Sequence, residues 1–254
     1  MTALKYRGVF PSTLVYPKIE DFEIFKIMAD APVKTGLIGS YFVGKRNISP
    51  LYNFANPDLP LLQVGKPTFQ REYAALSHAG YFDTQIKPTA KMSVITITRY
   101  PSAAKLANRV PIVSSYFKDP SGAISGDTML WGANGFMAYA QAGASVVTSA
   151  TKGVAYAEDE FCVVGQIISA NPAVGAWVLG EVGAAYSSTP MGGRVTSNQT
   201  ILIGSTHSDN EFLNDSSVSA VLIYNNDIGT TAMNATMLWL RDSVGVEAGI
   251  WKKG

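Results

Sequence analysis

From Gly36 onward the chain alternates between short apolar runs and breaks made of Gly, Pro, Asn, Asp and Ser. That texture predicts strands over 37–43, 81–84, 92–99, 112–116, 128–131, 136–140, 145–148, 161–168, 176–182, 201–203 and 218–224. Many short strands bounded by turn residues indicate an all-β sandwich or barrel. The runs 161–168 and 218–224 are apolar in both phases of the alternation. An antiparallel strand of that kind sits centrally, with a second layer over its outer face. The last element changes period. Met233, Met237, Leu240 and Val244 step by four, three and four, which is one stripe of a helix. Thr230 or Thr231 stands where an N-cap would, and Gly245 where the helix would end.

Residues 1–35 read differently, punctuated by Pro11, Pro17 and Pro32. Ile19, Phe22, Phe25 and Met28 recur at helical steps, while Phe22, Ile24 and Lys26 alternate as in a strand, so both readings stay open. The segment is rich in Phe, Ile and Met, and large apolar patches are rarely left exposed. It therefore divides the chain into an attachment or oligomerisation segment, 1–35, and a main domain, 36–254. The segment either packs on its own domain or docks on another chain.

Composition narrows the classes of function. The chain has 254 residues, 47% of them hydrophobic and 15% charged, with a net charge of +1. That supports a sizeable core and gives no electrostatic footprint for a nucleic-acid backbone. The single cysteine, Cys162, lies in an apolar run, so it reads as a buried hydrophobe and no internal disulfide can form. Met1-Thr-Ala-Leu-Lys-Tyr-Arg lacks the apolar stretch of a signal peptide, and no run reaches the ~18 residues of a membrane span. Synthesis in a cytoplasm, without membrane insertion, is the expectation. Asn-x-Ser/Thr triplets at Asn47, Asn198, Asn214 and Asn234 read as chance in that setting.

Catalytic motifs fail on inspection. The string from Gly39 to Lys45 fits a phosphate loop until Arg46 replaces the Ser or Thr that would hold magnesium, and its interior reads as strand. Glu158, Asp159 and Glu160 form the one dense acidic cluster. Glu158 and Glu160 would share a strand face at roughly 6.5–7 Å, near the ~5–5.5 Å of a retaining glycosidase. The acids are consecutive, however, and stop where an apolar run begins, as a solvated turn does. His78 and His207 have no partner at zinc-ligand spacing. No catalytic residue is assigned.

Two places carry candidate binding chemistry. The polar loop Gly204-Ser-Thr-His-Ser-Asp-Asn-Glu offers His207, Asp209 and Asn210 to a sugar, or oxygens to calcium. A plain solvated turn has the same composition. Trp131 beside Asn134 offers an aromatic face and an amide, although a strand Trp is more often core.

The last third resembles the laminin-G-like, concanavalin-like jelly rolls. The run Ile201-Leu-Ile-Gly204 leads into a polar loop, and Val218-Ser-Ala-Val-Leu-Ile-Tyr-Asn225 follows. Asp227-Ile-Gly-Thr-Thr and the helix close the series. The resemblance implies a two-sheet antiparallel jelly-roll sandwich with a C-terminal helix. The family's calcium-binding acids do not map onto particular positions, so the metal is left open. Modules of this type, with a short N-terminal attachment segment, are similar to those of bacteriophage tail fibres and tailspikes. That implies a non-enzymatic virion protein binding a host-surface carbohydrate or receptor, in contact with other virion proteins, as a homo-oligomer, with a trimer favoured. A purely structural virion domain and a glycan-cleaving enzyme of the same fold are the competing readings.

Overall fold

The computed structural model describes residues 28–44, 49–144, 147–154, 156–169, 171, 173–181 and 183–252. It begins with β1 (Leu37–Phe42), β2 (Leu62–Gly65), β3 (Thr68–Phe69), β4 (Ala74–Leu76) and β5 (Gly80–Asp83). Strand β6 (Met92–Arg99) precedes a one-turn helix, α1 (Ala103–Leu106), and then β7 (Val110–Ser114), β8 (Phe117–Lys118) and β9 (Ile124–Ser125). Next come β10 (Thr128–Gly132), β11 (Gly135–Gln141), β12 (Val147–Lys152), β13 (Phe161–Ile168), β14 (Ala173–Leu179) and β15 (Ala184–Pro190). After β16 (Leu202–Ile203) and β17 (Ser216–Tyr224), helix α2 (Gly229–Trp239) widens into a π-turn over Leu240–Gly245.

All pairings are antiparallel, and they build two large sheets. One runs β15-β14-β13-β6-β17-β4-β3, with β1 also on β17; the other runs β12-β11-β10-β7-β16-β5-β2. Face to face, they form the all-β sandwich that the sequence predicts. Inward-pointing residues from both sheets make one core, including Val94, Val164, Ala176, Val221 and Ile223 from the first and Phe82, Ile112, Met129, Trp131 and Phe136 from the second.

The double-phase strands are explained by a second cluster on the outer face of the eight-stranded sheet. There Ile95, Ile97, Val163, Trp177, Leu179 and Leu222 lie against Met233, Met237, Leu240 and Val244. The helical stripe is thus buried as its spacing requires. The ends of the helix differ from the prediction. The N-cap position is Ile228, and Asp227 Oδ1 accepts the Gly229 N–H at 2.8 Å in place of a threonine cap. Nor does Gly245 terminate the helix. The chain passes through it, and a Cβ there would stand 2.1 Å from the Trp251 ring, so glycine is present to let Trp251 pack.

Of the N-terminal segment, residues 28–35 pack on this same layer: Ala31 is buried in it, and the Tyr224 hydroxyl donates to the Val33 carbonyl at 3.2 Å. The expected helix-or-strand pattern over 19–28 lies almost wholly outside the described residues. Several strands escaped the pattern. Strand β15 reads Ala-Ala-Tyr-Ser-Ser-Thr-Pro and forms as the edge partner of β14, where pairing alone suffices. Strand β2, fully exposed, is likewise an edge.

Candidate functional site

The sequence-predicted binding residues do not converge. Trp131 is corrected outright. Strand β10 turns Met129 and Trp131 inward, so the Trp131 ring is 0% exposed, edge-on to Tyr100 at 5.1 Å and to Phe136 at 5.5 Å. It can offer no face to a ligand. Asn134 is exposed in the β10–β11 turn, at the end of β10 opposite Thr128.

The loop 204–215 is a structural cover more than an open cradle. His207 Nε2 sits 2.8 Å from the Thr200 carbonyl, and the His207 N–H donates to Tyr116 O at 2.8 Å. Asp209, almost fully exposed, faces His78 at 3.7 Å. Asn210 instead borders a shallow depression with Asn108 and Arg109. The next two residues fasten the loop. Glu211 accepts from the Tyr116 hydroxyl at 2.7 Å and pairs with Lys118 Nζ at 2.6 Å. Burial alone would raise the Glu211 carboxyl, but the hydrogen bonds from Lys118 and Tyr116 outweigh it and hold it below the ordinary glutamate value. Phe212 stacks obliquely on Tyr116 and lies under the Arg109 guanidinium, which also covers Tyr139. Among the described residues, no group of three or more His, Cys, Asp or Glu could hold a metal ion.

The acidic cluster is the turn that enters β13. Asp159 takes a left-handed φ of 67°, its N–H donates to the Tyr100 carbonyl, and its carboxylate pairs with Arg99 at 3.0 Å. Glu160 Oε2 accepts the Ala157 N–H at 2.9 Å, so that carboxylate closes the turn on itself.

Concave surface with mixed chemistry occurs elsewhere, at two ends of helix α2. Where β12, β13 and β14 approach the π-turn, a groove of about 390 Å³ opens. Tyr156, Phe161 and Trp251 supply its aromatic walls, and Lys152, Glu160, Glu181 and Arg241 its charges. Two of these residues are held by backbone carbonyls. The Tyr156 hydroxyl donates to Leu179 O at 2.6 Å, and Arg241 reaches Gly180 O while pairing with Asp242 at 2.6 Å. The π-turn places Arg241 and seats Trp251, and such widened turns are frequent at functional sites. A smaller trough, about 190 Å³, lies on the same sheet near the helix start, beside Trp177 and Tyr186. Cys162 borders the larger groove, but it is 2% exposed and its thiol donates to the Thr98 carbonyl; burial pushes its pKa up, away from reactivity.

Sequence reasoning missed these grooves because each sets consecutive strands and connections of the 152–188 stretch against residues of the distant helix region, 227–230 or 241 and 251. One signal was legible: Tyr186 is a lone large aromatic in a run otherwise made of small and polar residues.

No helix among the described residues is long and apolar enough to cross a membrane. No family model matches the sequence, and no curated protein does. Solved structures do. The receptor binding domain of botulinum neurotoxin D superposes with a TM-score of 0.56 at 12% identity, covering 81% of this chain and 52% of that one. The botulinum neurotoxin type G receptor binding domain gives 0.56 at 12%, over 81% and 51%. That of the C/D mosaic serotype gives 0.56 at 10%, over 82% and 51%. The chain thus spans about half the length of the structures it matches, and what it shares with them is the fold.

Proposed function

We propose that this protein is a non-enzymatic surface module of a phage virion that binds a host glycan or receptor. The observation that carries the reading is the groove at the π-turn, where Tyr156, Phe161 and Trp251 meet Lys152, Glu160, Glu181 and Arg241. Ligand sites combine apolar and aromatic walls with a few placed polar groups, and here strand ends, their connections and the π-turn hold both. The neighbouring solved structures are named as receptor-binding domains, which supports the binding class by analogy of fold. The virion setting rests on the similarity of such jelly-roll domains, with a short N-terminal attachment segment, to modules of bacteriophage tail fibres and tailspikes, as does assembly into a homotrimer. A glycan array with the full chain tests the reading, run with and without calcium. Specific binding that is lost in Trp251→Ala is expected; an array blank in both conditions overturns it.

The structural-protein reading has its own observation. Edge strand β2 exposes Leu62 and Val64 at 49% and 37% and has no charged residue along it, so its open edge is fit to pair with another chain. A monodisperse monomer by light scattering would remove homo-oligomer contacts from consideration.

A further inference from the structure

We propose that the trough beside Tyr186 and Trp177 is a second binding subsite, shaped for one neutral hexose ring of a glycan. It rests on the reading of the protein as a glycan-binding module.

Strand β15 is an edge of the eight-stranded sheet. On β15 small polar residues are ordinary, yet Tyr186 stands there 51% exposed. Its ring lies on Trp177 at 4.2 Å between centroids, 14° from parallel, while Trp177 itself is 3% exposed. The two are cross-strand partners, so the stack runs across the strands. One face of Tyr186 covers Trp177, and the half-exposed ring borders the trough. A large aromatic held at a fixed angle by a buried one loses little rotamer freedom on binding.

The next register row supplies the floor. Gly175 faces Ser188 across the pair, and a Cβ on Gly175 would stand 3.1 Å from Trp177 Nε1. The missing side chain is what keeps the trough open beside the indole edge. Ser169, Ser188, Asp227 and Thr230 supply its polar lining, beside the apolar Ile167 and Ala173. Asp227 already accepts from the Gly229 N–H with one oxygen.

Size and charge select the ligand. The trough has the room of about six waters at ~30 Å³ each, enough for one sugar ring and well short of the ~300–1,000 Å³ of a drug-sized pocket. Among the described residues no Lys or Arg lines it, which disfavours phosphates, sulfates and acidic sugars. Hydroxyl groups around an aromatic face instead match a neutral pyranose, whose C–H face stacks while its hydroxyls exchange hydrogen bonds with serine and threonine.

The test titrates the full-length protein with methyl glucopyranoside, galactopyranoside and mannopyranoside, with sialic acid as the charged control, followed by saturation-transfer NMR. At least one neutral glycoside should bind, ~10-fold more weakly to Tyr186→Ala and nearly as well to Tyr186→Phe, which keeps the stacking face. Gly175→Ala, which narrows the floor, should weaken it too. An unchanged thermal midpoint in Tyr186→Ala would show that the exposed ring is not needed for folding. If a neutral glycoside binds wild type and Tyr186→Ala alike, the trough is not the site and the glycan-binding reading stands. If the array finds only acidic glycans and no neutral glycoside binds, the neutral class is wrong. If neither array nor titration detects any glycan, this inference and the functional reading fall together.

Discussion

The outer face of the eight-stranded sheet lies under a helix, whereas that of the seven-stranded sheet lies under a loop. Beneath the helix the contact is mainly apolar, with Met233, Met237 and Leu240 fully buried on Ile95, Ile97 and Leu222. Beneath the loop it is aromatic and ionic: Phe212 on Tyr116, Arg109 between Tyr139 and Phe212, Glu211 on Lys118 and Tyr116. At the margin of that second sheet lies a bidentate pair, Arg194 to Asp127, at 2.6 and 2.7 Å, with both side chains under 10% exposed. Asp127 also accepts the Gln141 N–H, and Arg194 also donates to the Thr89 carbonyl. A helix can satisfy its own backbone and needs only an apolar stripe. A loop cannot, so its cover must be pinned by specific hydrogen bonds and charges. The helix side should therefore tolerate apolar exchange and fail on an introduced charge, and the loop side should fail when one partner of a charged or hydrogen-bonded pair is removed.

The largest effect is expected for Leu240→Asp, which strands a charge in the helix–sheet layer. Chemical denaturation should register a loss of ~4 kcal/mol or more, or no folded protein at all; Leu240→Met should cost under ~1.5 kcal/mol. A charged variant as stable as wild type would mean the layer is wet.

Next comes Asp127→Ala, which leaves the Arg194 guanidinium buried and unpaired. A loss of about 3–5 kcal/mol is expected. Replacing both partners by apolar residues should restore much of it, and a double-mutant cycle measures the difference. A single variant within 1 kcal/mol of wild type would show that the pair does not anchor this margin.

Phe212→Ala removes a half-buried ring from the loop cover. About 1–2 kcal/mol is expected, with faster amide exchange confined to 204–215 and its neighbours. If exchange instead rises across the whole sandwich, the loop is part of the cooperative core rather than a cover.

The smallest effect concerns acid. Glu211 is held below its ordinary value of 4.5, so the native state binds its proton less readily than the unfolded chain does. Its contribution is present in full above that value and fades as pH falls through the lowered one. Glu211→Gln should lower stability at neutral pH, and the gap from wild type should close as pH drops below about 4.5. A constant gap at every pH would assign the effect to packing rather than charge.

The helix-covered half of this comparison was legible in the sequence, since both signals are periodic: double-phase strands and a four-three-four stripe. The loop-covered half was not. Nothing in local pattern announces that Glu211 will meet Tyr116, or that Arg194 will reach Asp127 across 67 residues. Asn53 makes the same point: fully buried, it accepts from the N–H groups of Ser40, Ala55 and Asn56 and donates to Ile38, Tyr41 and Leu59, organising a stretch that carried no readable pattern. The candidate site was legible least. His207, Asp209 and Asn210 are neighbours in sequence yet face three different partners, while the grooves set the 152–188 stretch against the distant helix region. Polar composition marks a loop, and only tertiary placement decides whether it binds or fastens.

Cys162 turns the central strands into their own clock. It is the single thiol in the chain, shut between Thr98 and the core, and only its thiolate reacts with an alkylating probe. Modification must then wait for β13 to part from β6, which pair through Cys162 and Thr98. At low probe concentration, labelling counts the fraction of time the pair spends open; at saturating concentration it counts how often it opens. A single-thiol chain thus carries a built-in reporter of breathing at the middle of the larger sheet, readable by mass spectrometry without introducing a label site.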